Sequence, residues 1–230
     1  MILVTGMLHA QSSESGTQAS PAPAATKGAA VVDAKPNEIA KAGPAAAPLQ
    51  AATQLYRSGK LAEAEAAYKE VLKSEPQSPD AYVGLVRLNL RQKRLADAEA
   101  ALAKAVELGP KSNAVRVAQG EVRFRQGKII EARDDFTPLV KANTAEARAY
   151  LGLGRIYWAG SLRMHAKLMY ELAHDKDPDD PDIRRAWLFT LSRKERIQAL
   201  RGLLSEEADE DEDDRGHLET SLAAMEEAEV

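Results

Sequence analysis

Small and large apolar side chains recur along this chain in a fixed 34-residue register. Alanine stands at 64, 98, 132 and 166. Four residues further on come large apolar side chains, Tyr68, Leu102, Phe136 and Tyr170, and three beyond those Val71, Ala105, Leu139 and Ala173. Twelve residues after each alanine lie Pro76, Pro110, Thr144 and Pro178; twelve before lie Ala52, Val86, Gly120 and Gly154. Alanine is too common here for four positions to carry weight alone, but its neighbours keep the same spacing. A repeat of this length predicts stacked helical hairpins. Small residues at the crossing of two helices let their backbones approach to about 8–10 Å. The large residue one turn later fills the space between successive hairpins. Proline then ends the second helix, because it lacks an N–H and clashes with the preceding turn.

These residues resemble the tetratricopeptide repeat family, with units at 45–78, 79–112, 113–146 and 147–180. The closest correspondence is Leu151-Gly152-Leu153-Gly154-Arg155-Ile156-Tyr157, followed by Ala166, Tyr170, Ala173 and Pro178. Gly59-Lys60-Leu61 and Gly127-Lys128-Ile129 match the family's tight turn. The resemblance implies an all-α fold, a solenoid of about four helix-turn-helix repeats. It has departures: Pro48 predicts a late start for the first helix, and Pro138 a kink in the third unit. Arg163 stands at a usually apolar position.

Beyond the repeats, Asp180-Pro181 reads as a capped helix start. Ile197, Leu200, Leu203 and Leu204 continue at helical spacing. Residues 181–205 are therefore expected to form a fifth hairpin or cap, covering an apolar face that would otherwise meet water. Ahead of the repeats, residues 11–48 are rich in Ala, Ser, Pro and Gly, and read as a disordered linker. Residues 1–10 form a short apolar segment ending Leu8-His9-Ala10, similar to a signal-peptidase site. The expectation is an exported bacterial protein, periplasmic or secreted, and otherwise cytoplasmic. No apolar stretch approaches the roughly 20 residues of a transmembrane helix.

Charge is unevenly spread. The 230 residues carry a formal net charge of −4. Residues 206–230 hold 12 acids and one base, while residues 49–205 hold 27 bases and 20 acids. A basic body thus carries an acidic tail, expected to include a short helix. A solvated tail is one reading; intramolecular contact with the body's own groove is the other.

In the resembled family, the first helix of each unit lines a concave surface through unit positions 2, 5, 9, 12 and 13. That mapping presents Arg87, Leu90, Arg91, Phe124, Arg125, Arg148, Arg155 and Trp158, with Glu121 among them, and the next helix adds Arg185 and Phe189. Guanidinium groups bind carboxylates in paired hydrogen bonds and stack on aromatic faces. Such a groove suits a protein or peptide ligand of acidic character. The family's clamp for a C-terminal carboxylate is not supported, since Leu49 and Thr53 occupy its lysine and asparagine positions.

Chemistry-bearing motifs are sparse. The four histidines are scattered, cysteine is absent, and there is no zinc-protease pair, phosphate-cradling loop or Gly-x-Ser-x-Gly. Asp175–Asp179 and Asp209–Asp213 lack the glycine and distal glutamate of a calcium loop. Nucleic acid is an unsuitable partner for a chain with an anionic tail. The expectation is a non-catalytic interaction scaffold without cofactor or metal. The alternative is a regulatory or substrate-presenting segment of a larger enzyme, such as an aspartic protease whose catalytic residues lie elsewhere.

Overall fold

A computed structural model describes residues 46–206 and 212–227. The apolar segment 1–10, the linker as far as residue 45 and the acidic residues 207–211 lie outside the described residues. The described chain is helical throughout: α1 (Ala46–Arg57), α2 (Leu61–Ser74), α3 (Pro79–Arg91), α4 (Leu95–Leu108), α5 (Asn113–Arg125), α6 (Ile129–Lys141), α7 (Ala147–Ala159), α8 (Arg163–Lys176), α9 (Pro181–Thr190), α10 (Arg193–Glu206) and α11 (Glu212–Glu227).

Each helix packs on its successor from α1 through α11, with the α9–α10 contact the slightest of these. The odd-numbered helices α1, α3, α5 and α7 also touch in sequence, which the even-numbered ones do not to a comparable extent. Close packing in one row and wider spacing in the other curve a stack, so the odd-numbered helices form its concave side.

Ring-against-glycine packing sets the spacing. Phe136 of α6 is fully buried between Gly120 of α5 and Gly152 of α7, where an added Cβ would lie 2.6 and 2.4 Å from its ring atoms. Tyr68 meets Gly84 and Tyr170 meets Gly154 in the same way, at 2.3 and 2.4 Å. A glycine side of each contact lets a ring sit where another side chain would stand.

The turns inside the hairpins share one hydrogen-bond pattern. In the third, Gly127 N–H donates to Phe124 O and Lys128 N–H to Arg123 O; Ser161 and Leu162 repeat it in the fourth, donating to Trp158 O and Tyr157 O. This double closure satisfies the orphan carbonyls of a helix end and needs a left-handed residue. Gly127 takes φ +78°, whereas Ser161 is held at +62° with a side chain present. Thr144, standing where the other units have proline, ends α6 by the same device, with Asn143 left-handed and Thr144 N–H donating to Leu139 O.

One expectation about a proline is corrected. The first helix does not start late: α1 begins at Ala46 and takes in Pro48, so residues 46–48 are helix and not linker. Proline in a first turn sacrifices only an N–H that has no intrahelical acceptor. α6 runs unbroken through Pro138, which lies in its last turn. At the start of α9, the Asp180 carboxylate accepts from Asp182 N–H at 2.9 Å and Ile183 N–H at 3.2 Å.

Candidate functional site

The concave side is built around a buried charge cluster. Arg148, in the first turn of α7, is 7% exposed. Its Nε donates to Glu121 Oε1 at 2.7 Å, Nη1 to Asp180 Oδ2 at 2.6 Å and Nη2 to Asp182 Oδ2 at 3.2 Å. Tyr56 of α1 donates its hydroxyl to Asp182 Oδ2 at 3.0 Å. One residue on, Arg57 pairs with Asp177 at 2.7 Å. The curvature of the stack has therefore brought the first helix against the α8–α9 corner, across more than 100 residues of chain.

Electrostatics follow from this arrangement. Burial raises Asp180 and Asp182, but the charge and hydrogen bond of Arg148 together with neighbouring arginines outweigh it and hold both below the usual carboxylate range. Burial also disfavours a charged Arg148, yet Asp180 and Glu121 more than compensate, and it stays protonated. The Tyr56 phenol is pushed well above its ordinary value, chiefly by burial.

This corrects one expected groove residue. Arg148 is buried, and each of its three guanidinium nitrogens donates to a carboxylate, so it serves as a structural tie rather than an open cation. Of the unit's fifth positions, Val83, Val117 and Leu151 turn into the core, and Leu90 is 8% exposed, forming core as well as cavity wall.

The remaining expected residues gather around the cluster. A cavity of about 220 Å³ is bounded by Arg87, Leu90, Arg91, Phe124, Arg125, Arg155 and Arg185, with Lys93, Glu121, Arg148 and Asp182 in its wall. Arg91 Nη1 donates to Tyr56 O at 3.0 Å, and its guanidinium lies 5.4 Å from that ring's centre. Arg87 Nε is 3.9 Å from Glu121, and Arg185 Nη1 is 3.7 Å from Asp182. Arg125 is exposed, and neither it nor Arg155 has an ion-pair partner among the described residues.

Trp158 and Phe189 line a neighbouring depression of about 250 Å³, which shares Arg155, Asp182 and Arg185 with the first. Their rings meet edge-on, 4.9 Å apart at 67°, and Arg163 stacks on Trp158 at 3.6 Å. Phe189 is 57% exposed. Cationic and aromatic depressions are thus contiguous. Sequence reasoning missed Lys93, Tyr56 and the two aspartates of the α8–α9 corner. In the sequence Asp180 reads only as a helix cap, and Asp182 carries no signal of its own.

Among the described residues, no group of three or more His, Cys, Asp or Glu is placed to hold a metal. None of the described helices is long and apolar enough to cross a membrane.

Hairpins stacked in one curved row define an α-solenoid of helical repeats. A sequence model described as tetratricopeptide repeat matches residues 49–113 and 117–162, and this part of the chain consists of repeats of that family. Comparison with curated protein sequences found no match. Among solved structures, the chain is similar to a thermophilic tetratricopeptide repeat protein of Thermus thermophilus, at 22% identity and a TM-score of 0.56, over 78% of this chain and 97% of that one. It is also similar to the Cut9–Hcn1 hetero-tetramer of the APC/C, at 15% identity and a TM-score of 0.51, over 79% of this chain and 36% of that one. At these identities the likeness is one of fold.

Proposed function

We propose that the chain is a protein-interaction scaffold whose concave face binds an acidic segment of a partner protein. The supporting observation is the meeting of Arg87, Arg91, Arg125, Arg155 and Arg185 on one cavity, beside the depression lined by Trp158 and Phe189. Arg148 and its carboxylates hold the floor rigid, so the surrounding cations are ordered before a ligand arrives. Ligand carboxylates pair with Arg125 and Arg155, and one aromatic or large apolar residue fills the Trp158–Phe189 depression as an anchor. Rigid presentation reduces the ordering cost of binding.

The test uses the full chain and a labelled synthetic peptide of four glutamates flanking one phenylalanine. Binding is expected at low salt, weakening as the Debye length shortens towards about 8 Å at physiological ionic strength. Arg125→Glu together with Arg155→Glu is expected to abolish it. Equal binding by the double variant removes the concave face from the proposal.

A further inference from the structure

The C-terminal helix suggests what form the partner segment takes. α11 packs on α10, and its inward face consists of Leu218, Leu222 and Met225. These lie at i, i+4 and i+7, the spacing by which an amphipathic helix is read in an apolar groove. Glu219, Thr220, Ser221, Ala223 and Ala224 are exposed, and Thr220 and Ser221 join Leu218 and Met225 in lining the space beneath the helix.

The seat is loose. Leu218, Leu222 and Met225 are only half-buried, and a cavity of about 540 Å³ remains between α11 and the helices beneath it. Its apolar wall comes from Leu188, Phe189 and Leu200, and its charged wall from Arg91, Arg185 and Arg196. Arg91 and Arg185 also border the concave cavity, so the two spaces are continuous with one cationic surface. Arg193 donates to the Met225 carbonyl in the last turn of α11. A cation at a helix C-terminus satisfies an orphan carbonyl and complements the helix dipole, and so fixes the direction in which a helix lies.

We propose that this groove is a helix-binding site in which α11 is an exchangeable occupant, and that the incoming ligand is an acidic amphipathic helix of a partner protein. The ligand presents apolar residues at i, i+4 and i+7 to Leu188, Phe189 and Leu200, carboxylates to the arginines, and its C-terminal turn to Arg193. It competes with α11 for one seat. The inference rests on the scaffold reading and assigns its ligand a conformation and an entry point.

The probe is a labelled synthetic peptide of residues 212–227, added to the full chain. A full chain carrying Leu218→Asp and Met225→Asp has its own α11 unseated and is expected to bind the probe about tenfold more tightly than the unmodified chain, as release of a mostly occupied site requires. A peptide of the same composition with its apolar spacing scrambled is expected not to bind. Circular dichroism and thermal unfolding check that the variant keeps its repeats, which α11 does not enter. Adding Phe189→Asp to the unseated variant is expected to remove probe binding. Equal affinity in the unmodified and unseated chains, or equal binding of the scrambled peptide, overturns the proposal. The glutamate–phenylalanine peptide runs alongside: if it binds through Arg125 and Arg155 while the helical probe fails, only the helix site falls. If neither binds, the concave-face reading falls too.

Discussion

Arg148 and Asp180 meet at 2.6 Å, both more than nine-tenths buried, and join the fourth hairpin to the helix that follows it. The same guanidinium holds Glu121 of the third hairpin and Asp182, which Tyr56 of the first hairpin reaches. One side chain thereby ties four parts of the stack. Removing it leaves Glu121, Asp180 and Asp182 without the guanidinium they share. Arg148→Met is expected to destabilise the chain by about 3–5 kcal/mol, the usual cost of breaking a buried ion pair from one side. Arg125→Glu, at an exposed position without an ion-pair partner among the described residues, is expected to change stability by no more than about 0.5 kcal/mol. Urea unfolding of the two variants separates a structural arginine from a surface one; comparable midpoints would contradict the assignment of Arg148.

Acid should act on the fold in stages. His174 stacks on Trp187 at 3.9 Å, its Nε2 is buried without a hydrogen bond, and burial lowers its pKa despite nearby Asp175 and Asp179. The unfolded chain therefore takes up this proton first, near pH 6.5. The stability contributed by neutral His174 is full above that pH and is lost as pH falls towards the lower folded value. Asp180 and Asp182, also depressed, contribute stability that is present above their unfolded values near 3.9 and is lost only as pH falls through the folded ones. Asp135 and Asp177 work in the opposite sense: burial raises them, so the folded state binds their protons first and gains relative stability on acidification. His174→Phe keeps a ring against Trp187 but cannot titrate. Melting temperature measured from pH 7 to pH 5 should fall less in this variant than in the unmodified chain; parallel curves would remove His174 from the account.

Gly152 is as specific a requirement as the charge cluster. A Cβ there would sit 2.4 Å from the Phe136 ring, which Gly120 confines from the other side. The ring cannot retreat, so Gly152→Ala should cost about 1–3 kcal/mol by overpacking, despite alanine's better helix propensity. Gly202 of α10, with nothing within 4 Å of an added Cβ, provides the control. Gly202→Ala should be neutral or mildly stabilising in the same denaturation experiment.

What the sequence made legible was local. Alanine, aromatic and proline positions in a 34-residue register identify the hairpins, because each unit's packing depends on its neighbours in the chain. Arg87, Arg91, Arg125 and Arg155 could be placed around one cavity because unit position determines which way a first-helix residue points. Arg148 stood in the same pattern and went elsewhere. Its partners Asp180 and Asp182 lie 32 and 34 residues ahead, and Tyr56 comes from the far end of the stack. Only the curvature of the assembled superhelix brings them together, and no periodicity encodes that meeting. The α11 helix illustrates a different obstacle. Leu218, Leu222 and Met225 mark a helical face in the sequence, but the surrounding run of acids outweighs them in any compositional reading.

Ser161 offers the most direct test of the turn geometry. It holds φ +62° at the position where the third hairpin uses Gly127 at +78°. A side chain in the left-handed region costs roughly 1–2 kcal/mol through the contact of its Cβ with the backbone. Glycine avoids that cost but gives the unfolded chain more freedom, which takes back about 0.4–1 kcal/mol. Ser161→Gly is therefore expected to stabilise the fold by several tenths to about 1 kcal/mol. The double closure by Ser161 N–H and Leu162 N–H uses backbone groups alone and survives the substitution. The converse change, Gly127→Ala, should destabilise, although nothing lies within 4 Å of the added Cβ, because the strain is in the backbone and not in a contact. Opposite shifts of the urea midpoint in the two variants, with unchanged slopes, would establish that the left-handed residue governs the stability of these turns; shifts of the same sign would refute it.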